Sequence, residues 1–274
     1  MVKRWINRKP DRSTVLILAA LPFVALAVLY LAGSAWRLSA NPNDKLLPGL
    51  MTMGDAVYRM AFAADPRTGE VQLWVDTWAS LTRLLAGLGI ATGLTLILGL
   101  VIGMLPYARA LLSSVVDVIS MVPPLALLPI LFIVLGLGEV SKITLIVIGV
   151  MPVMVRDMAL RVLELPREQL TKAQTLGASS WQIALRVVLP QVAPRLLTSL
   201  RLQLGPAWLF LIAAEAISAE AGLGYRIFLV RRFLAMDVIF PYVAWITLLA
   251  VLMNWGLEVL RRRWFPWSDL EAAR

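Results

Sequence analysis

Residues 166–190 read PREQLTKAQTLGASSWQIALRVVLP, a polar, amphipathic island between apolar stretches. Pro166 suits the first position of a helix, where a missing N–H is no loss. From Arg167 the chain has a helix-forming composition, with Leu170, Ala173 and Leu176 on one side and Glu168, Thr171 and Lys172 around them. Gly177 can take the left-handed conformation that stops a helix. Ala178 follows, and Ser179 with Gln182 three residues on has the spacing of a capping box that starts a second helix. Trp181, Leu185 and Val188 fall along one face of that helix, and Pro190 and Pro194 are expected to bend or end it before the next apolar stretch. Two short helices about a glycine turn make a compact knob. On spacing alone, it either packs against its own bundle or docks a partner.

Outward from this island the chain is apolar in both directions. Of its 274 residues, 59% are apolar and 16% charged, whereas a soluble domain holds about 45–50% and about 25%. A bilayer crossing needs roughly 20 apolar residues. Crossings are expected over residues 14–36, 84–105, 111–135, 143–155, 196–217 and 238–260, the fourth being short unless Val140 and Ser141 join it. The expected class is therefore all-α, a polytopic membrane protein of about six transmembrane helices. Residues 1–78 would hold an N-terminal tail, the first crossing and an outer segment. Residues 79–262 would form the main transmembrane domain with its inner loop at about 161–190, and residues 263–274 a tail.

Basic residues near the crossings orient the chain. Lys3, Arg4, Arg8, Lys9 and Arg12 precede the first, and Arg261, Arg262 and Arg263 follow the last. Both termini are thus expected in the cytoplasm, together with the loop that carries Arg156, Arg161, Arg167, Lys172, Arg186 and Arg195. Arg226, Arg231 and Arg232 fall on the outer side and depart from the rule. The first crossing could be a signal peptide cleaved near Ala32-Gly33-Ser34-Ala35. Its apolar core exceeds the roughly 7–15 residues of such peptides, and removing it would disturb the charge pattern, so an uncleaved helix is preferred. Trp36, Trp74, Trp78, Trp264 and Trp267 lie near expected ends, as interfacial anchors do.

The sequence has no cysteine and no histidine. That removes disulfides, thiol nucleophiles, most zinc sites and any Ser-His-Asp arrangement. The net charge of +9 sits between apolar stretches, which argues for cytoplasmic loops and against nucleic-acid binding. No phosphate-binding G-x-x-x-x-G-K-[ST] loop is present, so the chain is not expected to bind ATP or any other cofactor itself. Charges inside crossings cost roughly 2.5–3.5 kcal/mol on insertion scales, which makes them functional candidates. Glu215 reads as a gate or pathway residue, or as half of an interfacial salt bridge with Arg226. Asp117 reads better as interfacial. Pro123, Pro124 and Pro129 free backbone carbonyls, which is tolerable at membrane depth only against protein or a water-lined cavity. They make the third crossing a candidate path wall, and Gln203 and Trp208 are weaker candidates. Gly87, Gly89, Gly93, Gly99 and Gly103 of the second crossing suit close helix packing better than a pore lining.

The segment Leu176-Gly177-Ala178-Ser179, with Leu189-Pro190 following, resembles the cytoplasmic EAA loop of ABC importer permeases. In that family Glu-Ala-Ala is followed by three residues, a glycine, a spacer and Leu-Pro. Here Thr171-Lys172-Ala173 occupies the Glu-Ala-Ala place, which departs from the family at the residue expected to make one polar contact to the ATPase, and Glu168, one turn earlier, is the candidate to substitute for it in part. Ser80-Leu81-Thr82-Arg83 resembles the start of the family's transmembrane domain. Gly136-Leu137-Gly138-Glu139-Val140-Ser141-Lys142 resembles the outer turn of its nitrate/sulfonate/taurine branch, and Ala214-Glu215-Ala216 with Gly222-Leu223-Gly224-Tyr225 resembles that branch's segment after the fifth crossing. The likeness runs over about residues 80–260.

The resemblance implies a type I ABC importer permease in a bacterial inner membrane. Two copies would line one path for a small sulfonate-, taurine- or nitrate-like solute delivered by an external binding protein. ATP and Mg would be bound by separate cytoplasmic ABC ATPase subunits. The knob would sit in a groove on such a subunit, with Leu170, Ala173, Leu176 and Trp181 as apolar contacts and Arg167 and Lys172 at the rim. A urea- or guanidine-like solute is the alternative for the same machinery. An ion-coupled secondary transporter would need acid relays or inverted repeats, and a membrane enzyme would need clustered reactive groups. Neither is visible in the sequence.

Overall fold

The computed structural model describes residues 11–42, 44–66 and 69–268. The basic residues Lys3, Arg4, Arg8 and Lys9 and the end of the C-terminal tail lie outside them. The chain divides into two compact units, one of residues up to Ala63 with Val230–Pro241, the other of Ala64–Leu229 with Tyr242 onward. The all-α membrane architecture expected from the sequence is what the described residues form.

The first unit holds α1 (Arg12–Ala40) and α2 (Leu50–Ala61). Asp11 caps α1 by accepting from the Thr14 N–H, which satisfies one of the free donors of the first turn. The loop between the helices folds back onto α1. The Tyr30 hydroxyl donates to Pro48 O at 2.7 Å, and Ser34 Oγ donates to Leu47 O at 3.0 Å. Arg37 also bonds Asp44 and holds that carboxyl below its usual range. A depressed carboxylate contributes its stability above the unfolded value, so this tie persists at neutral pH and is lost only as the pH falls through the lowered one.

The second unit is built on α3 (Gln72–Met104) and α6 (Glu139–Leu163). A Cβ on Gly87, Gly99 or Gly103 would come within 3 Å of Ile146, Met158 or Val162. The offset between partners is constant, so the two helices run parallel with their backbones pressed together over most of the α6 length. Gly89 and Gly93 have nothing within 4 Å of their Cβ positions. Close approach of small residues substitutes in lipid for the missing hydrophobic drive between helices.

Two parallel helices require the chain between them to return across the bilayer once. That return is the third expected crossing, and it is broken. α4 (Pro106–Met121) and α5 (Leu128–Leu135) flank a 3₁₀ turn (Pro124–Leu127), and the two halves meet at 86°. Pro123 and Pro124 cause the break, since each forces its predecessor out of the α region. Val122 and Pro123 are accordingly extended, with ψ of 125° and 114°.

The knob follows α6. α7 (Arg167–Thr175) ends at Gly177, whose φ is +80°, and α8 (Ser180–Ile183) starts with both halves of the Ser179–Gln182 capping box. Of the two outcomes expected at Pro190 and Pro194, a bend or an end, the helix does not end there. A π turn (Ala184–Val188) leads directly into α9 (Leu189–Leu202). Pro190 has no N–H for the carbonyl four residues back, and the wider turn carries the chain past that missing bond. The interruption comes later, at Gln203, where Pro206 leaves Leu202 unserved in the same way. α10 (Leu204–Ser218) follows, and it meets α11 (Leu223–Arg231) at 56°. α12 (Met236–Trp264) is the last helix of this length among the described residues. The fifth expected crossing, 196–217, is therefore a jointed α9–α10 unit that begins inside the knob.

Candidate functional site

The knob divides its apolar side chains between the bundle and the surface, with Val188 buried and Leu185 40% exposed. Leu170, Ala173 and Ala178 are half-buried, and Leu189 and Pro190 are half-buried where the knob joins the bundle. Arg167, Glu168, Thr171, Lys172, Gly177 and Ser179 are exposed. Leu176 and Trp181 are 79% and 71% exposed. Two large apolar side chains thus stand out beside a rigid turn. Gly177 makes that turn possible, because at φ +80° a side chain would be strained.

At the opposite end of α6 lies an ionic cluster that is largely buried, apart from Glu139, whose side chain is 55% exposed. Arg83 is at its centre. Its guanidinium bonds Glu139 through two nitrogens, Glu215 Oε1 at 2.8 Å and the Ala221 carbonyl at 2.7 Å. Glu215 is fully buried and also accepts from Ser80 Oγ at 2.8 Å and the Gly224 N–H at 2.9 Å. Lys142 donates to Glu139 at 2.9 Å. Beside this group, Asp76 accepts from Arg226 Nε at 2.8 Å, from the Gly222 N–H at 2.9 Å and from Tyr242 at 3.2 Å. Three carboxylates thus face three cations. Burial of such groups is tolerable only with this degree of pairing and hydrogen bonding.

The cluster joins α3, α6 and α10 to the loop of residues 219–222 and the start of α11. That loop can reach Glu215 only because residues 222 and 224 are glycines. A Cβ at Gly222 would stand 2.6 Å from the Glu215 carboxyl, and one at Gly224 would stand 2.7 Å from Ile212 O. The expected partner of Glu215 is corrected here: Arg226 pairs with Asp76, and Arg83 pairs with Glu215. The same contacts account for Arg226 against the charge rule, since Asp76 neutralises it inside the protein. Asp76, Ser80, Arg83, Glu139 and Tyr242 were not singled out as site residues from the sequence. The hydropathic reading started the second crossing at Leu84, because Asp76 and Arg83 look like loop charges until their partners are seen.

The path candidates scatter. Pro123 and Pro129 are exposed and Pro124 is half-buried in the broken crossing, whose 3₁₀ turn lies against α6 and α10. Gln203 is half-buried at the α9–α10 joint. Trp208 is buried with its indole N–H unpaired. Asp117 is half-exposed 3.5 Å from Arg156, beside a cavity of about 370 Å³ between α3, α4 and α6. No group of His, Cys, Asp or Glu among the described residues has the arrangement of a metal site.

A parallel helix pair with a broken return, a jointed crossing and a protruding apolar knob define an integral membrane translocation subunit. Residues 89–266 match the family described as the binding-protein-dependent transport system inner membrane component, and the chain belongs to that family. It is 37% identical over 198 residues, 72% of either chain, to the taurine transport system permease protein TauC of Escherichia coli. It is 32% identical over 271 residues to the putative aliphatic sulfonates transport permease protein SsuC of the same organism, covering 97% of this chain and 95% of that one. Among solved structures, it resembles a chain of the inward-facing MetNI methionine ABC transporter with a TM-score of 0.63, covering 70% of this chain and 97% of that one. At 18% identity that likeness bears on the fold alone. The chain is a multi-pass permease of the ABC importer class, and its relatives are transport proteins and not enzymes.

Proposed function

We propose that this permease forms the path for a small sulfonate- or taurine-like anion, working as one of two copies with an external binding protein and cytoplasmic ABC ATPase subunits. The observation that carries the reading is the knob: exposed Leu176 and Trp181 on a helix–glycine–helix element, in a chain related to TauC and SsuC. ATP and Mg belong on the ATPase subunits, and this chain binds no cofactor. Nucleotide-driven closure of those subunits would push the knob and tilt the attached helices, a rigid-body transfer through a docked element. The charge rule puts the knob and both termini in the cytoplasm and the ionic cluster on the outer side of a bacterial inner membrane. Glu215 then acts as an anchor and not as a solute contact, because its carboxylate oxygens are engaged by Arg83, Ser80 and Gly224.

The test is uptake of labelled taurine and alkanesulfonates in cells with and without this gene and its partner ATPase. Uptake is expected to need both. Uptake that survives loss of the ATPase overturns the ATP-driven reading, and normal sulfonate uptake without this gene overturns the substrate.

A further inference from the structure

Helix α2 has three faces. Ala56 and Ala61 are buried, with Met53 and Met60 half-buried beside them. Thr52, Asp55 and Arg59 form an exposed polar stripe. Between these faces runs an exposed apolar stripe of Met51, Tyr58 and Phe62, at 86%, 65% and 71% exposure, with the two rings 6.0 Å apart. Tyr30 Oη lies 3.8 Å from Met53 Sδ and Arg59 lies 3.8 Å from Asp237, so α2 is tied to its own unit through other side chains than those of the apolar stripe.

The depth of α2 says what the stripe meets. A hydrocarbon core of about 30 Å takes about 20 helical residues. Counted from Thr14, where the apolar run of α1 starts, that core ends near Gly33. The ties from Tyr30 and Ser34 to Leu47 and Pro48 fix the chain just before α2 at this level. α1 itself exposes apolar side chains up to Leu31 and Trp36, so the bilayer continues to this depth. An amphipathic helix with aromatic and methionine side chains on one flank and charges on the next, held at the end of the hydrocarbon, has the properties of an interfacial helix. Tyr58 suits that place, with an apolar body and a polar tip.

We propose that α2 lies in the membrane–water boundary and inserts Met51, Tyr58 and Phe62 between lipid headgroups and acyl chains, leaving Thr52, Asp55 and Arg59 in the wet zone. The helix would then brace the end of α1 against the lipid surface.

The absence of cysteine in the chain makes the test direct. Met51→Cys, Tyr58→Cys, Thr52→Cys and Asp55→Cys are made singly in the full chain. Each is labelled with nitrobenzoxadiazole and placed in phosphatidylcholine nanodiscs, and only variants that keep the parent's melting temperature are used. Labels at 51 and 58 are expected to be blue-shifted, to lose fluorescence to nitroxide-labelled phosphatidylcholine and to resist iodide. Labels at 52 and 55 are expected to do the reverse. Iodide quenching at 51 and 58 equal to that at 52 would show that the stripe faces water. Protection from both quenchers would show that protein covers it, a second copy or a soluble partner. Either result overturns the proposal.

Discussion

Arg83 holds two carboxylates and a backbone carbonyl at once, and its own exposure is only 7%. Its removal leaves Glu215 as a buried charge without a cation, which costs about 3–5 kcal/mol. Arg83→Met should therefore lower the melting temperature in nanodiscs markedly. Arg83→Met with Glu215→Met should recover part of the loss, because the orphaned charge is gone. If the two single losses simply add, the pair is not coupled. At the knob, Gly177→Val forces a β-branched side chain into a left-handed backbone at about 1–2 kcal/mol. ATP-driven uptake should fail while membrane insertion stays normal, and unchanged uptake would show that the turn is not needed for docking. These two residues differ in how far the sequence exposes them. Gly177 is legible because its neighbours along the chain define the turn. Glu215 is legible only as an anomaly, since its partner is 132 positions away and the nearer Arg226 is the wrong one.

At the scale of elements, local signals read well and long-range ones poorly. The Ser179–Gln182 box and the stop at Gly177 are set by contacts within a few residues, and both stand as read. The prolines were harder. Pro190 reads as a bend or an end, and a π turn carries the helix past it, with Val188 and Val192 buried on either side. Pro123 and Pro124 act as expected on the backbone, although the size of the 86° bend was not foreseeable. The α3–α6 contact shows which glycines pack. Gly103→Leu pushes a side chain into Val162, 2.4 Å from the added Cβ, and overpacking of this kind costs about 1–3 kcal/mol. At Gly93 an added Cβ meets nothing within 4 Å, so Gly93→Leu starts into open space. Thermal unfolding should separate the two variants clearly, and equal losses would mean that α3 and α6 are not held by this seam.

For the molecule as a whole, the sequence carried the class, because a bilayer enforces apolar length on every span; the described residues hold five helices of spanning length, or up to seven spans if each bent pair counts as one, a range that includes the six expected. It did not carry where the second span begins, because a protein interior can hide charges as well as a loop can. Orientation has a direct check. A cysteine replacing Ala178 should react with an impermeant maleimide only from the cytoplasmic side, and one replacing Glu220 only from outside. The reverse pattern would invert the topology. A mechanical consequence follows from the glycine seam. Packed closely through Gly87, Gly99 and Gly103, α3 and α6 form a doubled beam, and α6 alone is 25 residues long, about 37 Å at the helical rise of 1.5 Å per residue. The ionic cluster fixes one end of this beam and the knob sits at the other. A lever pivoted at the cluster would convert a tilt of about 10° into a sweep of about 6 Å at the knob over that length. The residues nearest the pivot would scarcely move, so the ion pairs of the cluster can persist while the knob end swings.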